Sequence, residues 1–166
     1  ADILDTTGRQ EEAASDYRRA LDLYRGLPDC EHNQARCLRN IGVALYAAGR
    51  YENAMTAYRE ELDLYRSLPD SEQQQANCLY NIAITLGDMG RHEEAVAAYR
   101  RALDLYRGLP DTEYDQADCL NDIANILRKT EQHEEAVAAY RQALDLYRGL
   151  PDSEQQQANC LYNIGV

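Results

Sequence analysis

The chain has 166 residues, 45% of them hydrophobic and 28% charged, the composition of a globular protein rather than a disordered one. No apolar run approaches the about 20 residues that a helix needs to span a bilayer. Acidic residues outnumber basic ones by 29 to 17, a net charge of −12, and that field repels nucleic-acid phosphates and anionic membrane surfaces, which proteins grip with Lys and Arg. Neither kind of partner is expected.

The tripeptide Leu-Pro-Asp starts at Leu27, Leu68, Leu109 and Leu150, always 41 residues apart. Residues 68–82 and 150–164 both read LPDSEQQQANCLYNI, and residues 92–111 and 133–152 differ only at Arg101 versus Gln142. A fixed period of this length marks a stack of supersecondary units. Residues 1–29 form a partial repeat with a complete second helix, because Ala1 aligns with Gly42 and Ala83 in the middle of a first helix. Three full repeats follow at 30–70, 71–111 and 112–152, and residues 153–166 are a truncated first helix.

Within 71–111, Ser71 to Gln74 reads as a capping box, in which the hydroxyl accepts from an early backbone N–H and the residue three later reaches back. Thr112 to Asp115 and Ser153 to Gln156 occupy the same place. Leu79, Ile82, Ala83 and Leu86 then recur at helical spacing, and Gly90 suits a left-handed turn. A second helix is predicted from about His92, with Ala95, Ala98, Tyr99, Ala102, Leu103 and Tyr106 on one face. Glu93 and Glu94 in its first turn and Arg107 in its last suit the helix dipole. Gly108-Leu-Pro110 ends it, Gly108 supplying positive φ. Each helix is about 16 residues, about 24 Å long.

The predicted fold class is all-α, an α-α solenoid of antiparallel helix pairs, each pair stabilised by its neighbours. Ala54, Ala95 and Ala136 let paired helices approach closely. Tyr17, Tyr58, Tyr99 and Tyr140 fill the space between pairs with their hydroxyls near the edge; the same series also fits a ligand-stacking ladder, but core spacing favours packing. Cys37, Cys78, Cys119 and Cys160 share the 41-residue period, with no CxxC and no His at zinc-ligand spacing. They read as small packing residues in a reducing cytoplasm, unpaired because neighbouring helices stand about 8–10 Å apart.

The pattern resembles the tetratricopeptide repeat, carried by Leu79, Ile82, Ala83, Leu86, Gly90, Ala95, Tyr99 and Ala102. The second unit matches at Leu38, Ile41, Gly42, Leu45, Gly49, Ala54 and Tyr58 but has Glu61 where the last Ala belongs, and the fourth has Glu131 in place of the turn Gly. The seven residues beyond the usual 34 are similar to the long repeats of kinesin light chains and of sensor arrays on nucleotide-dependent switch proteins. The resemblance implies a TPR-like binding scaffold whose first helices line a concave face.

At 100° per residue, the stripe opposite the core is Arg36, Asn40, Val43 and Ala47 in the second unit and Asn77, Asn81, Ile84 and Asp88 in the third. The fourth unit gives Asp118, Asp122, Asn125 and Lys129, and the last helix gives Asn159, Asn163 and Val166. Asn amides donate and accept, so Asn40, Asn81 and Asn163 can hold a peptide backbone whatever its side chains; the bland alternative is that they bond neighbouring helices or water. The positions at which some family members clamp a carboxylate carry no Lys. Asp88, Asp118 and Asp122 favour an extended, neutral-to-basic protein or peptide.

Catalysis is not expected. His32, His92 and His133 stand at a linker and at helix starts with no triad around them, and no phosphate-binding glycine loop occurs. No cofactor or metal is implied. Neither end has a polar capping helix and no signal peptide is visible, so the chain reads as a fragment of a longer array. Two other functions stay open: head-to-tail self-association through the last helix, with Cys160, Leu161 and Ile164 uncovered, and the sensor segment of a nucleotide-dependent signalling protein.

Overall fold

The computed structural model describes the backbone of residues 2–165 and the side chains of residues 8–165. Eight α-helices follow one another among the described residues: α1 Asp2–Arg25, α2 Glu31–Ala47, α3 Tyr51–Arg66, α4 Glu72–Asp88, α5 His92–Arg107, α6 Glu113–Lys129, α7 His133–Tyr147 and α8 Glu154–Gly165. The order is the all-α helix-pair architecture that the 41-residue period predicts. The chain divides into two compact units, Ala1–Thr85 and Leu86–Val166. In the first, α1 packs on α2 and α2 on α3; in the second, α5 packs on α6, α6 on α7 and α7 on α8.

Three-residue turns fold α3 back along α2 and α7 back along α6. Gly49 and Gly90 sit at φ +73° and +74°, and the next residue closes the turn: Arg50 N–H donates to Leu45 C=O at 2.8 Å and Arg91 N–H to Leu86 C=O at 2.9 Å. Glu131 keeps the same turn at φ +62°, with Gln132 N–H on Leu127 C=O at 2.9 Å. A side chain in that region is strained where glycine is not. Glu131→Gly is therefore expected to raise stability by about 0.5–1 kcal/mol in urea denaturation, with unchanged helical circular dichroism. The partial repeat at 1–29 differs: its backbone runs as one helix through Gly8, which has no positive φ.

Two local expectations are corrected. Gly108 stays right-handed at φ −83°; the left-handed residue is the Asp of each Leu-Pro-Asp, with Asp29, Asp70, Asp111 and Asp152 at φ 50–55°. Asp tolerates that region through its short polar side chain, and Pro has already stopped the helix.

Nor do the hydroxyls form a capping box. Ser71 Oγ donates back to Tyr65 C=O at 2.5 Å and Leu68 C=O at 2.9 Å, and accepts from Gln75 Nε2, four residues on, at 3.0 Å. Thr112 with Gln116 and Ser153 with Gln157 repeat this. Thr112 sits at φ −116°, ψ 15°, outside the β-region that an N-capping side chain uses. The hydroxyl is turned toward the orphan carbonyls of the preceding helix, whose satisfaction a buried joint requires.

The cores are apolar and regular. Leu38, Ile41 and Leu45 are 3–5% exposed in the first unit, and Leu120, Ile123 and Leu127 are 4–6% exposed in the second. Ala54, Ala95 and Ala136 are buried at the close approaches, and Cys37, Cys78, Cys119 and Cys160 are buried free thiols. Tyr58, Tyr99 and Tyr140 are interior, whereas Tyr17 is 37% exposed. A Cβ on Gly42 would stand 2.4 Å from the Tyr58 ring, so only glycine leaves room for that ring of α3 against α2.

Candidate interaction surface

The predicted stripe is neither uniformly open nor uniformly free. Arg36, Val43, Asp88 and Asn159 are exposed, and Asn40, Asn77, Asn81, Ile84, Asp118, Asp122, Asn125 and Asn163 are half-buried. Val166 lies outside the described residues.

In the first unit the Asn40 and Asn81 side-chain amides have no hydrogen bond to the described residues, and Arg36 has no carboxylate partner there. Their donors and acceptors remain available. Beyond Glu31 and Glu72 in their first turns, α2 and the part of α4 up to Thr85 carry no acidic residue. The first-unit stripe is neutral to basic.

In the second unit the stripe is acidic and is held by tyrosine hydroxyls from the second helices. The α7 hydroxyls of Tyr147 and Tyr140 donate to Asp118 Oδ1 at 2.5 Å and to Asn125 Oδ1 at 2.7 Å. The α5 hydroxyl of Tyr99 bonds Asp122. Burial first, then these carboxylates, push the Tyr147 and Tyr99 hydroxyls well above the ordinary tyrosine range. Burial also raises Asp118, which the Tyr147 bond partly offsets, and burial together with the Asp118 charge raises Asp115. Two partly desolvated carboxylates therefore stand beside each other, and among the described residues no cation pairs with either. A positive group placed there relieves both effects.

A polar cluster that the stripe reading missed lies in the first unit. Glu61 on α3 is 0% exposed, and Arg39 on α2 donates Nε–H to its Oε1 at 2.9 Å. Burial raises the Glu61 carboxyl, and the Arg39 charge and the Cys78 thiol partly offset the shift. The same carboxylate, after burial, raises Cys78. The sequence signal was present: a Glu in a position that holds Ala102 and Ala143 in other units demands a partner. Its partner lies 22 positions earlier on a different helix, which no local pattern indicates.

Two further hollows lie on the second-helix side. One of about 300 Å³ in the first unit is floored by Leu38, Ile41 and Leu45, with Arg25–Glu60 paired at its rim at 3.3 Å. Its counterpart of about 360 Å³ in the second unit is floored by Leu120, Ile123 and Leu127. No residue of the predicted stripe lines either one. Among the described residues no group of His, Cys, Asp and Glu could hold a metal ion, and no helix is long and apolar enough to cross a membrane.

The family model of the tetratricopeptide repeat matches residues 1–67, 74–149 and 115–166. The chain belongs to the tetratricopeptide repeat family. Its unit is 41 residues long, seven more than the usual 34 of the repeat. Among solved structures it is similar to BtubC (BKLC) from P. vanneervenii, with 20% identity and a TM-score of 0.74 over 99% of this chain and 65% of that one. It is also similar to the apo form of RapI, with 17% identity and a TM-score of 0.84 over 95% of this chain and 43% of that one. The chain thus spans less than two thirds of either neighbour, and at these identities the likeness concerns the fold. No curated protein matches the sequence.

Proposed function

We propose that this tetratricopeptide array is a non-catalytic protein-interaction scaffold whose first helices hold an extended, neutral-to-basic peptide or protein segment. The observation that carries the reading is the acidic second-unit stripe. Asp115 and Asp118 are partly desolvated side by side, so a Lys or Arg of the partner gains a charge-assisted hydrogen bond and relieves their repulsion at once. Tyr147 and Tyr99 fix Asp118 and Asp122 in place, which lowers the ordering cost of binding. In the first unit, the unengaged Asn40 and Asn81 amides suit a peptide backbone.

Selection of 12-residue peptides from a random display library on the immobilised chain tests this. Fluorescein-labelled copies of the selected peptides are then titrated by anisotropy. Lys and Arg are expected to be enriched, Asp118→Asn with Asp122→Asn is expected to weaken binding at least about tenfold, equivalent to about 1.4 kcal/mol, and Asn81→Ala is expected to weaken it less. Acidic selected peptides, or affinity unchanged in both variants, would remove the basis for the reading.

A further inference from the structure

The second helices share one charge pattern. In α1 it is Arg18, Asp22 and Arg25, and in α5 it is Arg100, Asp104 and Arg107; α3 repeats it at Arg59, Asp63 and Arg66, and α7 at Arg141, Asp145 and Arg148. In all four helices the Asp pairs with the later Arg, at 3.0–3.6 Å. The earlier Arg is exposed in each, with no ion pair or hydrogen bond among the described residues. Every set therefore keeps one uncancelled cation, on a chain whose net charge is −12.

Two of these free guanidiniums stand at apolar hollows that are built alike. The hollow of about 300 Å³ in the first unit is lined by Arg18, and the one of about 360 Å³ in the second unit by Arg100. Each residue lining the first has its counterpart two repeats later lining the second, from Arg18 and Arg100 to Glu60 and Gln142. The same surface has thus formed twice. One difference bears on charge: where the first hollow has Asn53, the second has Glu135, which is exposed and free of ion pairs. In the second unit the apolar surface also continues past the guanidinium. Arg100, Leu127 and Glu135 line a neighbouring hollow of about 410 Å³ together with Val96 and Ile126. The helices bounding it, α5, α6 and α7, have further helices before and after them in the chain.

We propose that these hollows dock an acidic, apolar segment of a partner protein. A Leu-, Ile- or Phe-sized side chain of the partner enters the hollow, and an Asp or Glu beside it meets Arg18 or Arg100. Charge specifies this occupant, because the guanidinium is the unmet charge common to both hollows. A carboxylate gives it a charge-assisted hydrogen bond, and the Leu-Ile-Leu floor takes the apolar neighbour. Glu135 repels the same carboxylate, which makes the second hollow the weaker of the two. No residue is shared with the stripe that holds Asn81 and Asp118, and the partner carries the opposite charge. One array can then hold two partners at once.

A random 12-residue display library tests the proposal. It is selected on the immobilised chain and depleted of every clone that also binds the chain carrying Arg18→Glu and Arg100→Glu. The surviving peptides are expected to place Leu, Ile or Phe beside Asp or Glu. Fluorescein-labelled copies, titrated by anisotropy, are expected to lose about tenfold in affinity with the uncharged pair Arg18→Gln and Arg100→Gln. Arg18→Gln alone is expected to remove more binding than Arg100→Gln alone, and Glu135→Asn to strengthen binding. Thr56→Gln with Ala138→Gln, at exposed positions lining the two hollows, narrows them without adding charge and is expected to weaken binding. Asp118→Asn with Asp122→Asn is expected to leave it unchanged, so the outcome here is separate from that of the stripe. Circular dichroism is expected to be the same in every variant. No surviving peptide, survivors without acidic residues, affinity insensitive to Thr56→Gln with Ala138→Gln, or affinity lost with Asp118→Asn and Asp122→Asn would each overturn the proposal.

Discussion

Arg39→Ala is expected to destabilise the first unit by about 3–5 kcal/mol, the usual penalty when one partner of a buried ion pair is removed. The asymmetry of the pair decides which partner matters. Glu61 is 0% exposed, whereas the Arg39 side chain is 34% exposed and can turn toward water. Without Arg39, the Glu61 carboxylate has only the Cys78 thiol beside it in a setting that already raises it above the ordinary range. A carboxyl whose folded-state pKa lies above its unfolded value of about 4.3 binds more protons when folded. It disfavours folding increasingly as pH rises through the folded value, and it stops doing so below about pH 4. The deficit of Arg39→Ala is therefore expected to be larger at neutral pH and to shrink toward pH 4, opposite to ordinary acid denaturation. Urea denaturation at both ends of that range measures it, and a deficit that does not shrink would show that something other than the orphaned carboxylate is responsible. Arg39→Ala with Glu61→Ala should recover most of the loss, because Ala102 and Ala143 fill the same position elsewhere without a charge.

The fold was legible because it rests on quantities that a sequence carries directly. The 41-residue period sets the unit, the 3.6-residue stripe sets each helix, and Pro with the turn Gly sets the boundaries; α5 begins at the predicted His92. What failed was the identity of hydrogen-bond partners. Ser71 was expected to cap the helix that it precedes, but its backbone lies outside the capping conformation and its hydroxyl reaches carbonyls of the helix before. Gly108 looked like the left-handed residue, yet Asp111 after the proline takes that role. A local pattern says that an orphan group exists and not which of two nearby helices satisfies it. The interaction stripe shows the same limit. A 100° step puts Asp118, Asp122 and Asn125 on one side of α6, but it does not show that the Tyr99 hydroxyl of α5 and the Tyr147 and Tyr140 hydroxyls of α7 bond them. Glu61 was visible as a departure from the small-residue pattern; Arg39 was not visible as its answer, because the two share no helix.

The tyrosine series allows ring and hydroxyl to be weighed separately at one repeat position. Tyr140 is 0% exposed between α6 and α7, with its hydroxyl 2.7 Å from Asn125 Oδ1. Tyr140→Ala removes a whole buried ring and is expected to cost about 3–5 kcal/mol. Tyr140→Phe keeps the ring and removes one hydrogen bond, which is expected to cost about 0.5–1.5 kcal/mol. Tyr17 occupies the equivalent place but is 37% exposed, so Tyr17→Ala is expected to cost less, about 1–2 kcal/mol, because only part of its side chain has left water. Urea denaturation of the three variants separates the effects. Equal losses at Tyr17 and Tyr140 would mean that the two rings are packed alike. A Phe variant as damaging as Ala would instead make the Asn125 bond, rather than the ring, the principal tie between α6 and α7. Because Tyr140→Phe also releases Asn125 Oδ1 into the stripe, the same variant is expected to leave peptide binding intact or slightly tighter while stability falls. Stability and binding would then move in opposite directions at one residue, as expected if the hydroxyl occupies an acceptor that a partner can use.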